Sequence, residues 1–401
     1  MRRILFCVVP EKGHLNPCIG PAQHLQRMGF EVAFYAPAAI GAQLQRAGGF
    51  AFLGPRDAPP PTSPSRGAAF AANVRDAAWL DRWIQGLLLG HVPAQVETLH
   101  AIVRQWRPHA VVIDPLLYAA AIAAELEGLP WVAMSNSLNP VLPGHLDSAL
   151  LRTVRALSPA RAQLFANYGL RAEFRGCDVL SPHLTIAFAT EDFTGTPPPG
   201  VELVGPSLPS GPRGDESDFP WDQIDRQIPL VYMSLGSQIY YQPDQFAKVI
   251  EAVRGLPLQL ALSVAELLDT DELPSLPERV IAVRYAPQLE VLRRADLFIS
   301  HGGANSVMEA LACGVPMLLS PLCNDQFHQA YFIERAQVGT QMDLRAASVA
   351  DIRATLGNLL HSDSIRNRVA QISASYGRDG AAGAARLISA LVAETHPATA
   401  S

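Results

Sequence analysis

Basic residues are in the minority in this chain: 31 Lys and Arg stand against 37 Asp and Glu, a formal charge of −6. Nucleic-acid binders show the opposite balance, so no nucleic-acid partner is expected. Cysteine is scarce as well. The five (Cys7, Cys18, Cys177, Cys313, Cys323) are scattered and never spaced C-x-x-C, which argues against a zinc ribbon or disulfide framework and for a cytoplasmic, reducing home. No apolar run approaches the about 18 residues of a membrane-spanning helix, so no stable membrane insertion is expected. The opening Met1-Arg2-Arg3 followed by Ile4–Val9 is too short for the roughly 7–15-residue core of a secretory signal, and Pro10-Glu11-Lys12 follows with no small-residue cleavage site. It reads as a first buried strand. No His-Glu-x-x-His, clustered Cys/His set or Gly-x-Ser-x-Gly elbow occurs, so neither a metal cofactor nor serine-hydrolase chemistry is indicated. Asp269-Thr270-Asp271 has the form of a D-x-D metal motif, but its polar, proline-flanked setting beside Glu272 reads as a turn or cap.

What is present is apolar bulk and rhythm. At 401 residues, 49% apolar and 17% charged, the chain can bury large cores, and its length suits two domains. Strand-like Ile4–Val9, Glu31–Tyr35, Ala110–Ile113 and Trp131–Met134 alternate with helical Pro17–Met28, Val92–Gln105 and Tyr118–Leu126, and the polar turn Ser135-Asn136-Ser137 follows the last strand. Such alternation implies parallel sheets covered on both faces. It breaks at Gly205–Pro212, a Pro/Gly-rich stretch leading into charge, and restarts with Leu230–Met233, helical Pro243–Val253, Leu258–Leu262, Val280–Val283, Leu297–Ile299, helical Asn305–Ala312 and Met317–Leu319. The expected architecture is therefore α/β: a Rossmann-like domain over 1–205, a linker over 206–228, a second such domain over 229–380, and an apolar helical tail over 381–401. Low complexity is confined to Ala58–Pro64 and the alanine-rich end.

The most informative stretch is Ser300-His301-Gly302-Gly303-Ala304-Asn305-Ser306, placed between a strand and a helix. A helix N-terminus offers unpaired N–H groups and a positive dipole end to a phosphate, and the two glycines let a ligand approach the backbone. Read alone, it could equally be a tight capping turn. The glycine order matches neither the dinucleotide fingerprint nor the P-loop.

With Tyr285-Ala286-Pro287-Gln288 upstream and Glu309, Gly314-Val315-Pro316, Pro321 and Asp325-Gln326 downstream, the region resembles the nucleotide-sugar box of the inverting family 1 UDP-glycosyltransferases, in particular bacterial natural-product enzymes of the macrolide and zeaxanthin glucosyltransferase type. The resemblance implies a GT-B fold, two Rossmann-like domains facing each other across a cleft. It further implies that His301, Gly303, Asn305 and Ser306 meet the diphosphate, Glu309 the ribose, Gln288 the base or ribose, Asp325 and Gln326 the sugar, and Ser237 the outer phosphate. Tyr285 stands where many relatives stack a Trp on uracil, and Ala304 replaces the plant-type Trp. The intact Asp325-Gln326 pair implies glucose, with UDP-glucose a co-substrate and no metal required.

In the first half, Gly13-His14-Leu15-Asn16-Pro17 follows the first strand, where ligands gather at the carboxyl ends of parallel strands. Pro17 suits a first helical position and Asn16 its cap, which leaves His14 in the loop as candidate general base. Asp114, ending the strand Val111-Val112-Ile113, is the candidate partner that fixes its tautomer, or else an N-cap. Phe70, Trp79, Trp83 and Leu87 lie where relatives line an apolar acceptor pocket, although core packing explains them equally well. Five arginines between Leu150 and Arg175 read as a solvated helix face or a membrane-touching stretch.

The expected activity is transfer of glucose from UDP-glucose to a hydroxyl of a small lipophilic polyketide, carotenoid or phenolic, by a monomer or homodimer. Nucleotide-sugar epimerisation and non-catalytic nucleotide-sugar binding are the alternatives. The resemblance also lets the tail cross back onto the first half.

Overall fold

The structure, a computed structural model, describes residues 1–55 and 64–396. The patch Ala58–Pro64, up to residue 63, and the end of the alanine-rich tail lie outside the described residues. Two compact units emerge. The first holds residues 1–55, Leu80–Asp215 and 378–396, and the second holds residues 64–79 and Glu216–Gly377.

The first unit is built on strands β1 (Arg3–Cys7), β2 (Glu31–Tyr35), β3 (Ala51–Phe52), β4 (Ala110–Ile113), β5 (Trp131–Ser135), β8 (Leu184–Ala187) and β9 (Val201–Leu203), with a separate antiparallel pair β6 (Glu173–Arg175) and β7 (Asp178–Leu180). The seven-stranded sheet has the order β3-β2-β1-β4-β5-β8-β9, parallel throughout. Strands β4 and β5 are buried along their whole length, as expected for apolar runs covered by helices on both faces. Strand order reverses between β1 and β4, which makes the crevice beyond their carboxyl ends the natural ligand site. Cys7 pairs with Ile113 in register there, and Asp114 N–H donates to Cys7 O at 2.8 Å.

The helix after β1 runs Lys12–Arg27, five residues earlier than the position of Pro17 suggests. Glu11 O accepts from His14 N and Leu15 N, both at 2.9 Å, and opens the helix. His14 thus lies in its first turn rather than in a loop, and Asn16 is helical rather than a cap. Pro17 and Pro21 are interior. Pro21 has no N–H to give Pro17 O, and Ser207 Oγ donates to that carbonyl instead, at 2.5 Å.

That bond belongs to a strap. The first part of the expected linker lies along the first unit: Gln23 Nε2 donates to Pro212 O at 2.7 Å, Arg46 Nε to Gly214 O at 2.9 Å, and Asn16 Nδ2 to Asp215 Oδ2 at 3.2 Å. A Pro/Gly-rich stretch lacks partners of its own, and these side chains supply them. Arg213 beside Asp215, aided by Lys12, holds its carboxyl below the usual range despite burial. From Glu216 onward the chain belongs to the second unit, where Arg294 stacks over Trp221 at 3.6 Å. The terminal helix Gly380–Thr395 packs in the first unit, with Gly380 against the backbone of Gly205.

The second unit carries β10 (Leu230–Ser234), β11 (Gln259–Ser263), β12 (Val280–Val283), β13 (Leu297–Ser300), β14 (Met317–Leu319) and β15 (Gly339–Gln341). Their order is β12-β11-β10-β13-β14-β15, again all parallel. Strand order here reverses between β10 and β13. A core of Val231, Met233, Phe246, Leu260, Leu262 and Ile299 fills one face of the sheet. Among the described residues, no helix is long and apolar enough to cross a membrane.

Residues 64–79 depart from the expected 1–205 domain. Gly67 lies so close to Tyr240 that a Cβ would come 2.4 Å from its hydroxyl, and Arg75 Nη2 donates to Gln242 Oε1 at 3.2 Å. Only a residue without a side chain fits that contact, so the segment groups with the second unit.

Candidate active site

The reversal point of the first sheet brings together two of the expected residues. His14 Nδ1 lies 2.7 Å from Asp114 Oδ2, with the carboxylate 1% exposed and the imidazole 30% exposed. An ionised carboxylate only accepts, so Nδ1 carries the proton and Nε2 is the basic nitrogen. The other oxygen of Asp114 accepts from Leu116 N at 3.1 Å, and its carbonyl accepts from Leu117 N at 2.8 Å. Asp114 therefore shapes the turn before helix Tyr118–Leu126 and orients the histidine at once. A third residue joins them. Asn136, just past β5, donates through Nδ2 to Asp114 Oδ2 at 3.2 Å and to His14 O at 3.1 Å. The polar triplet Ser135-Asn136-Ser137 after a buried strand was the only signal for it in the sequence. Cys18, one turn along from His14, donates Sγ–H to His14 O at 3.2 Å, and burial followed by the charge of Asp114 pushes its thiol up.

In the second unit, Ser237 and the His301–Ser306 turn, expected to meet the diphosphate, follow β10 and β13, where Ser234 pairs with Ser300. Gly302 has φ +87° and packs against Gln326, leaving only 3.2 Å between a Cβ there and Gln326 O. Gly303 then opens helix Ala304–Cys313, closed by Gly314 in the left-handed region. The His301 ring lies between two glycines: a Cβ on Gly236 (φ +80°) would fall 2.7 Å from its Nε2, and one on Gly303 would fall 2.6 Å from it. Desolvation there lowers His301 to about 4, so the ring is uncharged near neutrality. Ser237 follows Gly236 directly.

One turn into the helix, Glu309 is 2% exposed. It accepts from Asn305 Nδ2 at 2.9 Å and from Gln288 Nε2 at 2.6 Å, while Gln288 Nε2 also reaches Ser306 Oγ at 3.2 Å. Gln288, Asn305, Ser306 and Glu309 thus form one network. Tyr285 stands apart from it, its hydroxyl donating to Glu266 Oε1 at 2.8 Å. Glu266 follows Ala265, a non-glycine residue at φ +49°, and nothing in the sequence pointed to it. Asp325 precedes helix Gln326–Ala336. The Gln326 side chain turns into its own loop, where Oε1 accepts from Leu322 N at 2.7 Å and Cys323 N at 3.2 Å.

The acceptor candidates do not share one unit. Phe70 and Trp79 meet edge to face at 5.6 Å in the second unit, whereas half-buried Trp83 and 44% exposed Leu87 belong to the first. The arginine-rich stretch is likewise no single exposed face. Arg161, 4% exposed, donates to Gly176 O and Val154 O at 2.9 Å each and stacks on Phe174 at 4.4 Å. Arg152 and Arg155 stay outside and pair with Asp147. At the D-x-D stretch, Asp269 pairs with Arg284 and closes the turn Ala265–Asp269.

Comparison with known proteins agrees with this frame. Residues 221–379 match the family model of UDP-glucoronosyl and UDP-glucosyl transferases, and residues 83–169 match that of the N-terminal domain of erythromycin biosynthesis protein CIII-like proteins. The uncharacterized UDP-glucosyltransferase YojK of Bacillus subtilis (strain 168) is 26% identical, over 94% of this chain and 93% of its own. The 4'-demethylrebeccamycin synthase of Lentzea aerocolonigenes is 25% identical, over 97% and 99%. Among solved structures, the glycotransferase of kitacinnamycin superposes with a TM-score of 0.73 at 22% identity, over 97% of this chain and 98% of that one, and shares the fold. The second half of the chain thus matches UDP-glucosyl transferases, and the protein is a glycosyltransferase of the GT-B fold.

Proposed function

We propose that this glycosyltransferase moves glucose from UDP-glucose to a hydroxyl of a small lipophilic natural product, with inversion and without a metal. The observation that carries the reading is the 2.7 Å pair of His14 and buried Asp114 at the reversal point of the first sheet. His14 Nε2 takes the acceptor proton as the oxygen attacks the anomeric carbon, and Asp114 stabilises the imidazolium that forms. Direct attack by the acceptor, with no enzyme nucleophile, inverts the anomeric centre. The leaving diphosphate is met by the N-terminus of helix Ala304–Cys313 and the uncharged His301, which stabilise its growing charge. Glu309, held by Gln288 and Asn305, accepts from the ribose hydroxyls. Tyr285, fixed through Glu266, offers a face to the base. Asp325 reaches the sugar, while Gln326 holds the turn that carries it.

The test is product analysis after mixing purified protein with UDP-glucose, or separately thymidine diphosphate glucose, and a panel of hydroxylated lipophilic acceptors. The expected product is a single β-glucoside formed preferentially from UDP-glucose, in a yield unchanged by a chelator. An α-glucoside, chelator-sensitive turnover, or sugar isomerisation without acceptor would each overturn the corresponding part of the reading.

A further inference from the structure

Asn136 makes an unusual pair of contacts. Its amide nitrogen has two hydrogens, and each meets an acceptor belonging to the dyad: Asp114 Oδ2 at 3.2 Å and the backbone carbonyl of His14 at 3.1 Å. Both partners are acceptors, which fixes the amide orientation with nitrogen toward them. The loop carrying Asn136 is itself locked. Asp178, 1% exposed, accepts from Ser135 Oγ at 2.5 Å and from Asn139 Nδ2 at 2.7 Å, one bond on each carboxylate oxygen. Gly176 packs against Asn139 so closely that a Cβ would fall 2.7 Å from its Oδ1. Residues 135–139 are thereby braced on both sides of Asn136.

We infer that Asn136 is a positioning residue for the base: it ties the backbone of His14 to the carboxylate that holds its ring. Asn136 touches neither reacting atom in this scheme. It keeps the ring and the main chain of His14 in one arrangement, and it shares Asp114 Oδ2 with His14 Nδ1 so that the carboxylate does not rotate away. This rests on His14 being the base. Asp114 is the charged group bonded to His14, while Lys12 and Asp215 pair with each other beside the same helix turn and Cys18 lies one turn on.

The test compares Asn136→Ala and Asn136→Asp with His14→Ala, reading kcat, donor KM and the pH dependence of kcat. Asn136→Ala removes hydrogen bonds to a charged group and is expected to lower kcat about tenfold or more at unchanged donor KM. Asn136→Asp keeps the shape but sets a second carboxylate beside Asp114. It is expected to lower kcat further and to move the acid limb of the profile up by about one pH unit or more, because the added charge favours the imidazolium. Thermal melts of both variants identify misfolding, and a folded Asn136→Asp with the shifted limb supports the inference even where Asn136→Ala fails to fold. Wild-type kcat and an unmoved limb in both variants, with His14→Ala inactive, would overturn the role of Asn136 alone. An active His14→Ala would overturn the base assignment beneath it.

Discussion

The two units carry a histidine each at the reversal point of a parallel sheet, and they prepare it in opposite ways. His14 is held by side chains: Asp114 on the ring, Asn136 on the main chain, and a braced loop behind. His301 is held by the absence of side chains, its ring between Gly236 and Gly303, desolvated and lowered to about 4. In the proposed mechanism His14 gains and loses a proton, and it has a charged partner and a share of solvent. His301, proposed to meet the negative charge of the diphosphate, has close backbone on both sides of its ring. The shared topology provides the position, and the local neighbours decide the chemistry.

Breaking each arrangement separates them. The largest effect is expected from His14→Ala, which should cut transfer by ~10²–10⁴-fold while UDP affinity, measured by calorimetry, stays as in the wild type. His301→Ala should do the reverse, weakening UDP binding about tenfold with a smaller loss of kcat at saturating donor. Next comes the scaffold that side chains build in the first unit. Arg161→Met removes the buried donor to the carbonyls of Gly176 and Val154 and should lower unfolding free energy by ~2–4 kcal/mol in a denaturant titration, with UDP affinity unchanged.

The second unit should show its own signature on acidification. Burial lowers His328 to about 4, below the usual 6.5 of a histidine, so the unfolded chain binds a proton at pH values where the folded one does not. Stability should therefore fall as pH drops from about 6.5 toward 4, by up to about 3 kcal/mol for this group, and His328→Asn should flatten that slope. Gly236→Ala probes the backbone beside His301. The left-handed φ of +80° and the approach to His301 make the methyl cost ~1–3 kcal/mol, seen as weaker UDP binding at unchanged acceptor KM.

The period of the chain was legible because it follows from burial. Glu31–Tyr35, Ala110–Ile113 and Val280–Val283 are strands over just those residues, since short apolar runs between helical patterns leave few other solutions. The start of the first helix was not. Pro17 has the look of a first position, and only Ser207, some 190 residues away, supplies the bond that lets the helix carry prolines inside. The Pro/Gly-rich stretch reads as a free linker for the same reason: Gln23, Gln43 and Arg46, which hold it, lie far upstream.

The glycine-rich turn is visible in the sequence, while the roles proposed for its residues come from the resemblance to the nucleotide-sugar box. His14 and Asp114 are visible as polar residues just past buried strands, and the structure sets them 2.7 Å apart. Asn136 shows only as part of a polar triplet and Glu266 not at all, because their partners His14, Asp114 and Tyr285 lie elsewhere in the chain. Arg161 looks like its exposed neighbours Arg152 and Arg155, and only the tertiary structure sets a cation stacked on Phe174 and bonded to two backbone carbonyls apart from a charge in water.

The role of the His14–Asp114 pair is tested most directly by giving His14→Ala two matched acceptors, a phenol and the corresponding thiophenol, at saturating UDP-glucose and a pH where the thiol is ionised and the phenol is not. Transfer to the phenol should collapse, and transfer to the thiophenolate, which has no proton to lose, should stay near the wild-type rate. Equal losses on both acceptors, or equal retention, would contradict a base at this position.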